Sequence, residues 1–381
     1  MQEKKKILIL NYEFPPLGGG GGVATYKLAK GFIKLGYQVD YLTSGYRTLK
    51  KEEVVDEINI YRVKVLARTD METATMLSML TYVVAGFFKG ISLCRKNKYE
   101  FINTQFVVPT GPLGYVLSRI FKIKNILSIH GGDIYDPSKK LSPHRHWFLR
   151  MIVSWLMNRA DKIACQSSNT KKNANHYYRP KKEITIIPLP YEMVEFRQVS
   201  RSELGLRNDK KYLISVGRLV KRKDYGNLIR AVSELDTNIE SLIIGDGPEG
   251  EYLKKLIIEL NVADRVHLLG FVDEEKKFQF LANADIYILS SLHEGFGICI
   301  QEGMQVGLPI IATNNGGQVD LVNDGDNGFL VDPENHETLA NKIKELANDK
   351  DMIEKMSARN LQIINNFSLK TIAESYINLV R

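Results

Sequence analysis

Residues 290–331 decide the fold prediction, and they read SSLHEGFGICIQEGMQVGLPIIATNNGGQVDLVNDGDNGFLV. The pattern predicts the end of a strand, a glycine-rich turn, a short helix that opens near Ile298, a buried strand at 308–313 and a second glycine turn. Glycines let a backbone approach a ligand closely, and the start of a helix offers free N–H groups and a partial positive charge. We therefore expect an anion near Gly297.

Two carboxylates, Glu294 and Glu302, lie eight residues apart around this turn. Acids beside an anion site are unfavourable unless each acid binds something else. Sugar hydroxyls are one such partner, because they donate hydrogen bonds to carboxylates. The stretch therefore leads to the hypothesis of a ligand that combines an anionic group with hydroxyl groups.

Strands and helices alternate along the whole chain. A strand at 7–10 leads through the five consecutive glycines of 18–22 into a helix and a second strand, which is typical of the start of a doubly wound α/β domain. A similar alternation restarts at Lys211, after a proline-rich break near residue 190. The pattern predicts two Rossmann-like domains that face a cleft.

The domain boundaries follow from that break and from the length of 381 residues, which suits two domains. We predict a first domain over 1–190 and a second over 191–366. The last predicted helix, within 367–381, is expected to cross back to the first domain.

The composition, with 44% hydrophobic and 25% charged residues, is that of a soluble globular protein of enzyme size and not of a disordered or fibrous one. The three cysteines, Cys94, Cys165 and Cys299, are far apart and odd in number. They predict neither a disulfide framework nor a metal site, and a reducing cytoplasm is the expected location.

Charge is distributed unevenly between the two halves. Residues 1–193 hold 30 Lys and Arg against 15 Asp and Glu, a net charge of +15, whereas residues 194–381 carry −7. The first half is therefore expected to meet an anionic membrane surface or a nucleic acid, the alternative being a solvated basic face without a partner.

No membrane anchor or secretory signal is expected. The N-terminal apolar run has only four residues before polar ones follow. The longest uncharged stretch, residues 73–88, has sixteen residues, fewer than the roughly 20 that span a bilayer. It predicts a buried helix.

The glycine run at 18–22 follows a strand and opens a helix, so it is expected to present N–H groups to a phosphate or a sugar. A dinucleotide fingerprint would require spaced glycines and an acid at the end of the next strand. That strand instead ends in Leu42-Thr43-Ser44. The other interpretations are NAD binding and a flexible turn.

His130 follows a short buried strand in HGGDIYD. It is therefore expected at the carboxyl end of the sheet, where open α/β sheets bind ligands. Asp133 and Asp136 are expected to orient this histidine or to bind hydroxyls. A purely structural histidine is the alternative.

A basic turn, VGRLVKRKD, follows the first strand of the second domain. Arg218 and Lys223 suit a diphosphate, the first by its planar fork and the second as a point charge. Lys221 and Arg222 are expected to be solvated. The turn GDGPE, with Gly247, suits packing against a base or a ribose, or is only a turn.

The run His144-Arg145-His146-Trp147 combines basic and aromatic residues. It suits contact with lipid headgroups or with nucleic acid. A capped core helix that starts near Pro143 is the favoured interpretation. No nucleophile triad, zinc-protease motif or acidic pair with a metal context is present in the sequence.

Six motifs together resemble glycosyltransferase family 4, retaining enzymes of the GT-B fold. In chain order they are GGGGGV, HGGD, VGRLVKRKD, GDGPE, LGFV and HEGFGICIQEGMQVGLPIIAT. The acid pair Glu294 and Glu302 is the most specific of them. Departures from the family pattern include Asp224 in place of a glycine, Asn103 in place of a frequent histidine, and Gln301 and Gly303 beside Glu302.

The resemblance implies roles for individual residues. The implied donor-binding residues are Gly19, Gly20, Arg218, Lys223, Gly247, Val272, Glu294, Gly295, Phe296, Gly297, Ile298 and Glu302. The implied catalytic residues are Glu294, His130, Arg218 and Lys223. His130 and Asp133 are implied on the side of the acceptor and the transferred sugar.

The same resemblance implies transfer of a hexose from a nucleoside-diphosphate sugar, UDP- or GDP-linked, to a cell-envelope glycan or lipid-linked acceptor. It implies no cofactor and no metal requirement. The expected location is cytoplasmic and peripheral on the inner membrane face, with an anionic membrane surface and not nucleic acid as a partner. The alternatives are a soluble acceptor and a non-catalytic sugar-nucleotide or membrane-binding protein.

Overall fold

The computed structural model describes residues 4–71, 74–137 and 141–381. Residues 1–3, at the start of the predicted first domain, and residue 73, at the start of the predicted buried helix, lie outside them.

The chain divides into two compact units. Met1–Glu192 and Phe367–Arg381 form the first unit, and Met193–Asn366 form the second. The chain passes from the first unit to the second two residues after the predicted boundary at residue 190. The last segment belongs to the first unit because α12 (Leu369–Val380) packs against α1 (Gly20–Lys34).

The first unit is a doubly wound α/β domain. Its strands are β1 (Lys6–Leu10), β2 (Gln38–Ser44), β3 (Glu52–Val55), β4 (Ile58–Val63), β5 (Tyr99–Gln105), β6 (Lys124–Ile129), β7 (Lys162–Cys165) and β8 (Ile184–Ile186). Within the described residues they form one sheet in the order β3-β4-β2-β1-β5-β6-β7-β8, in which only β3 is antiparallel to its neighbour. The sequence did not predict β3, a short edge strand in which Glu52 and Val54 are exposed.

The remaining helices of the first unit form a row over one face of this sheet. They are α2 (Met76–Lys96), α3 (Gly111–Phe121), α4 (Trp147–Arg159) and α5 (Ser168–Tyr178), each packed against the next. On β1, Leu8 clusters with Tyr82 of α2, whereas Ile9 clusters with Phe32 of α1 and Ile372 of α12. Because side chains alternate along a strand, α1 and α12 cover the opposite face.

The second unit repeats this architecture. Its strands are β9 (Lys211–Val216), β10 (Ile239–Ile244), β11 (Val266–Gly270), β12 (Ile286–Leu289), β13 (Ile310–Thr313) and β14 (Gly328–Val331). Its helices are α6 (Tyr225–Ser233), α7 (Gly250–Glu259), α8 (Glu274–Asn283), α9 (Ile298–Gln305), α10 (His336–Ala347) and α11 (Lys350–Ile363). Residues 193–366, all described, form a parallel sheet in the order β11-β10-β9-β12-β13-β14. The predicted pair of Rossmann-like domains is confirmed.

The prediction of a buried helix at 73–88 is wrong in extent and in burial. Helix α2 continues past Lys89 to Lys96, and within the described residues it is long and apolar enough, by length and composition alone, to cross a membrane. Only 33% of its most apolar window is buried. It packs on α3 through Gly86 and Gly90, where an added Cβ would lie 2.8 Å from Leu113 Cδ2 and 2.5 Å from Leu117 Cδ1.

The prediction of a capped core helix near Pro143 is correct for the contact with the core but not for the start of the helix or its cap. Pro143–Arg145 form a single 3-10 turn, and α4 begins at Trp147, whose side chain is 67% exposed. The buried residues of α4 are Val153, Leu156 and Met157, all in its second half. The helix therefore lies on the core with one face and leaves its aromatic N-terminal end exposed.

Candidate active site

The charged residues of the second unit meet where its strand order reverses. The chain leaves β9 towards β10 through α6, while β12 lies on the other side of β9. Ligands of open α/β sheets bind outside the carboxyl ends of the strands at such a point. The loop after β9 carries Arg218, Arg222 and Lys223, and the loop after β12 carries Glu294.

Two cations and a hydroxyl group hold Glu294. The Lys223 Nζ lies 2.7 Å from Oε1, and the Arg222 Nη1 lies 2.8 Å from Oε2. The Ser291 hydroxyl donates to Oε1 over 3.0 Å. Lys223 and Glu294 are both buried. This Glu294 cluster (Arg222, Lys223, Ser291 and Glu294) keeps an excess of one positive charge.

The charges of this cluster are stable at neutral pH. Burial alone would raise the pKa of Glu294, but the positive charges of Lys223 and Arg222 and their hydrogen bonds outweigh it and lower the pKa from 4.5 to about 2. Burial would lower the pKa of Lys223, but Cys299 and Glu294 raise it above its ordinary value. Glu294 is therefore a carboxylate, and Lys223 an ammonium group.

The two acids have cationic partners, which the sequence did not predict. The sequence predicts that the acids bind hydroxyl groups of a ligand and that the cations bind its diphosphate. In the structure the Lys277 Nζ of α8 also lies 2.7 Å from Glu302 Oε1 of α9. A ligand that uses these acids must share or replace existing ion pairs, because their oxygens already accept hydrogen bonds.

The turn that precedes α9 has the predicted form. Helix α9 begins at Ile298, and its N-cap, Gly297, has φ of +106°, a left-handed conformation that favours glycine. Gly317 N donates to the Glu294 carbonyl over 2.7 Å, and a Cβ on Gly317 would lie 2.1 Å from the Gly295 carbonyl oxygen. The second glycine turn thus packs directly under the first and fixes the backbone around the buried Phe296.

Three further predicted donor residues lie in neighbouring loops. Arg218 is exposed in the loop after β9, and Val272 lies between β11 and α8, partly buried. A Cβ on Gly247 would lie 2.4 Å from the Leu219 carbonyl oxygen. The structure therefore explains Gly247 by close packing of two loops, which favours the interpretation of GDGPE as a turn.

Asp224 departs from the glycine of the family pattern, and its backbone explains that preference. Its φ is +46° and its ψ is +49°, in the left-handed region. Glycine adopts this conformation without strain, and aspartate is among the few other residues that tolerate it. The structure thus shows Lys223 in place despite the substitution.

In the first unit, the ring of His130 contacts neutral side chains. Its Nε2 is hydrogen-bonded to the Gln105 side chain, which in turn donates to Asn103. Its ring stacks on Phe106 with centroids 4.2 Å apart. Burial outweighs the opposing hydrogen bond with Gln166 and lowers the pKa of His130 from 6.5 to about 4. His130 is therefore a neutral imidazole at pH 7.

Asp133 fixes the backbone near His130. Its Oδ1 accepts the His130 N–H over 3.0 Å, and its Oδ2 accepts the Val107 N–H over 2.7 Å. Both carboxylate oxygens thus bind main-chain groups. The structure favours an orienting role for Asp133 over the predicted contact with a sugar or an acceptor.

The glycine run of the first unit already contacts a carboxylate. Helix α1 begins at Gly20, and Gly19 N donates to Glu13 Oε2 over 3.2 Å. Gly18 has φ of +89°, and a Cβ there would lie 2.3 Å from the Glu13 Cδ. A carboxylate of the chain itself therefore already lies at the loop where a phosphate or a sugar is predicted.

Sequence reasoning missed several residues of these sites. Arg222 was expected to be solvated, yet it binds Glu294. Lys277, Gln105 and Glu13 follow from no motif, because each contacts its partner through the fold. Only Arg222 could have been predicted from the sequence, because it directly precedes the predicted site residue Lys223. Among the described residues no cluster of three or more His, Cys, Asp or Glu side chains is arranged for a metal ion.

Two protein-family models match the chain. "Glycosyltransferase Family 4" matches residues 18–193, and "Glycosyl transferases group 1" matches residues 196–362. The chain is 25% identical to N-acetyl-alpha-D-glucosaminyl L-malate synthase of Bacillus anthracis, over 98% of this chain and 96% of the relative. It is 24% identical to alpha-monoglucosyldiacylglycerol synthase of Acholeplasma laidlawii, over 85% of this chain and 84% of the relative.

Solved structures share the fold. Sucrose-phosphate synthase from Thermosynechococcus elongatus superposes with a TM-score of 0.82 and 21% identity, over 99% of this chain and 98% of the other. Anabaena Alr3699/HepE in complex with UDP and glucose gives 0.74 and 21%, over 98% of both chains. These likenesses confirm the GT-B fold. The two family models and the curated relatives show that the chain is an enzyme and belongs to the family 4 glycosyltransferases.

Proposed function

We propose that this enzyme retains configuration as it moves a hexose from a UDP- or GDP-linked sugar to a cell-envelope glycan or a lipid-linked acceptor. The observation that carries the proposal is the Glu294 cluster at the switch point of the second sheet. Cations and acids lie there at the carboxyl ends of adjacent strands, beside the N-terminus of α9. Such a set suits a ligand that has both a diphosphate and hydroxyl groups.

In this proposal the second unit binds the donor. Arg218, Lys223 and the N–H groups that open α9 meet the diphosphate. Glu302 accepts hydrogen bonds from the ribose hydroxyls, and Glu294 does so from the transferred sugar. We assign Arg222 to the diphosphate together with Lys223, because both cations lie against Glu294. HepE, with UDP and glucose in its crystal structure, supports a uridine donor and a hexose.

The reaction we propose is a front-face displacement. The bond between the anomeric carbon and the diphosphate oxygen breaks, and the acceptor oxygen bonds to the same carbon on the same face. The acceptor proton passes to the departing phosphate oxygen. Negative charge grows on that diphosphate, so fixed cations and the dipole of α9 lower the barrier most.

The first unit supplies the acceptor side. His130 is neutral, so it acts by hydrogen bonding rather than by taking a proton. Its Nε2 is hydrogen-bonded to Gln105, which fixes the orientation of the ring. The basic surface of this unit, at +15 for residues 1–193, supports a place on the inner face of an anionic membrane.

No metal is needed in this proposal, because Arg218, Arg222 and Lys223 supply positive charge at the diphosphate. The test is transfer measured with the purified protein in EDTA. Undiminished turnover is expected. Loss of turnover in EDTA, restored by Mg²⁺ or Mn²⁺, would contradict it.

A second candidate keeps the fold but uses a soluble acceptor. It is favoured by the relative from Bacillus anthracis, which is matched over nearly its whole length and whose name gives malate as the acceptor. The name of the relative from Acholeplasma laidlawii contains diacylglycerol, which favours a lipid acceptor.

The experiment that tests the proposal is a donor panel. UDP- and GDP-linked hexoses are offered to the purified protein, and nucleotide release is followed with lipid-linked acceptors, with soluble acceptors and without acceptor. Release that depends on a lipid-linked or glycan acceptor, with an α-linked product from an α-linked donor, is the expected result. Release only with small soluble acceptors would establish the second candidate, and an inverted product would exclude retention.

A further inference from the structure

Helix α4 carries an exposed apolar face that plays no part in the core. We define the α4 apolar face as Trp147, Phe148, Met151, Ile152 and Trp155. All five side chains are exposed, Trp147 by 67% and Met151 by 62%. At 100° per residue they fall within one continuous arc of the helix surface. The core contacts of α4 lie on the opposite arc, at Val153, Leu156 and Met157.

The surroundings of this face are basic. Residues 141–160 contain no Asp or Glu and include Arg145, Arg150 and Arg159, all exposed. The Arg159 guanidinium lies 5.7 Å from the centroid of the Trp155 ring. Arg150 and Arg179 line a shallow groove together with tryptophans of this face.

A second apolar stripe lies in the same row of helices. Its members are exposed side chains of α2, namely Met76, Leu77, Leu80, Val84 and Phe88. Helix α3 packs between α2 and α4, and its Tyr115 ring meets Trp155 edge to face with centroids 4.7 Å apart. The outer layer of the first unit is therefore apolar on both sides of α3, and exposed apolar patches mark sites of contact with a protein or a membrane.

We propose that the α4 apolar face inserts into the headgroup and upper acyl region of a membrane that contains anionic lipids. Tryptophan and arginine beside aliphatic side chains suit that interface, because the rings and the long stems have apolar bodies and polar ends. The arginines complement anionic headgroups. If two identical copies paired through this face, by contrast, the arginines of the two copies would lie close together and repel each other. The inference rests on the proposed function only in one respect: membrane insertion would give the enzyme access to a lipid-linked acceptor.

The chain provides its own probe for this test. It contains two tryptophans, Trp147 and Trp155, and both lie on the α4 apolar face. Tryptophan emission is recorded while vesicles of phosphatidylcholine, with or without phosphatidylglycerol, are added to the full-length protein. A blue shift and quenching by brominated acyl chains are expected with the anionic vesicles. Because insertion is apolar, part of the quenching remains in 1 M salt, where the screening length is only about 3 Å.

Met151→Asp tests the face without touching the donor site. We expect it to weaken vesicle partition at least about tenfold, since it replaces an inserting side chain by a charge that anionic lipid repels. Ile258→Asp is the matched control, because Ile258 is an aliphatic residue of the second unit with 69% exposure. It should leave partition unchanged.

Three results would overturn the proposal. One is sedimentation with anionic vesicles without any quenching, which places the contact elsewhere. Another is equal partition of Met151→Asp and Ile258→Asp. A third is a blue shift with rising protein concentration in the absence of lipid, together with dimers in sedimentation velocity, which assigns the face to a second copy. None of these readouts involves turnover, so failure of the proposed transfer reaction is scored separately.

Discussion

Glu294 of the second unit lies between Lys223 and Arg222, whereas His130 of the first unit lies among the neutral side chains of Gln105 and Phe106. Both follow a strand at the carboxyl end of a parallel sheet. Charge pairing lowers the pKa of the acid, and burial lowers the pKa of the histidine. Charge pairing thus dominates the surroundings of Glu294, whereas burial dominates those of the His130 ring.

The largest expected effect is on turnover when Glu294 loses its charge. Glu294→Gln keeps the shape of the side chain but leaves Lys223 and Arg222 without their anion. We expect kcat to fall on the order of 10²–10³-fold, as for loss of one preorganised electrostatic group. Steady-state kinetics with the preferred donor measures it. An unchanged kcat would show that Glu294 is only structural, and circular dichroism controls for misfolding.

The two groups should also destabilise the protein in different pH ranges. The pKa of Glu294 is about 2 folded and 4.5 unfolded, so its contribution is present above pH 4.5 and is lost as the pH falls towards 2. The His130 pKa is about 4 folded and 6.5 unfolded. Protons therefore favour the unfolded state as the pH falls from 6.5 to 4.

By linkage, each pKa shift changes the free energy of unfolding by about 3 kcal/mol across its pH range. Urea unfolding of the wild type, Glu294→Gln and His130→Gln at several pH values separates them. The difference between wild type and His130→Gln should change between pH 6.5 and 4, and that with Glu294→Gln between pH 4.5 and 2. Parallel curves in either range would refute the corresponding pKa.

A smaller effect is expected at Glu302, which has one cation instead of two. Glu302→Gln should raise the KM for the donor roughly 10- to 100-fold with little change in kcat, because hydrogen bonds to a charged acceptor contribute about 1.5–3 kcal/mol. Lys277→Met should raise the same KM less, through a misplaced Glu302.

The exposed Lys276 gives a matched control for Lys277. Lys276→Met removes the same charge from α8 but lies away from Glu302, so it should leave KM unchanged. Equal effects of the two lysine variants would mean that only the net charge of α8 matters.

The smallest effect is expected at Asp224. Asp224→Gly removes a side chain from a left-handed backbone, which favours the folded state, and it also loosens the unfolded chain. We expect the free energy of unfolding to rise by about 1 kcal/mol or less, with unchanged turnover. A clear loss of turnover would show that Asp224 does more than occupy the turn.

The sequence predicted the positions of Glu294 and His130 in the fold but not the side chains that contact the site residues. Periodicity and glycine turns gave the two domains, the start of α9 at Ile298 and the positions of Glu294 and His130 at strand ends, because these are local properties of the chain. The partners Lys277 and Gln105 come from distant segments, and only packing brings them to Glu302 and His130.

Orientation was the second failure. The apolar character of α2 and α4 is visible in the sequence and predicts buried helices, but both helices expose large apolar side chains. Whether an apolar helix faces the core depends on its neighbours: α2 approaches α3 through Gly86 and Gly90, which turns its larger side chains outward. Periodicity alone does not distinguish a core face from an exposed face when both are apolar.

The central claim is that the Glu294 cluster binds the diphosphate of the donor with protein cations. Calorimetric titration of UDP and GDP into the protein in EDTA, for wild type and Lys223→Met, tests it most directly. The account predicts binding of one nucleotide without metal and a loss of at least about tenfold in affinity for the variant. Equal affinity of the two proteins, or binding by the wild type only when a divalent metal is added, would contradict it.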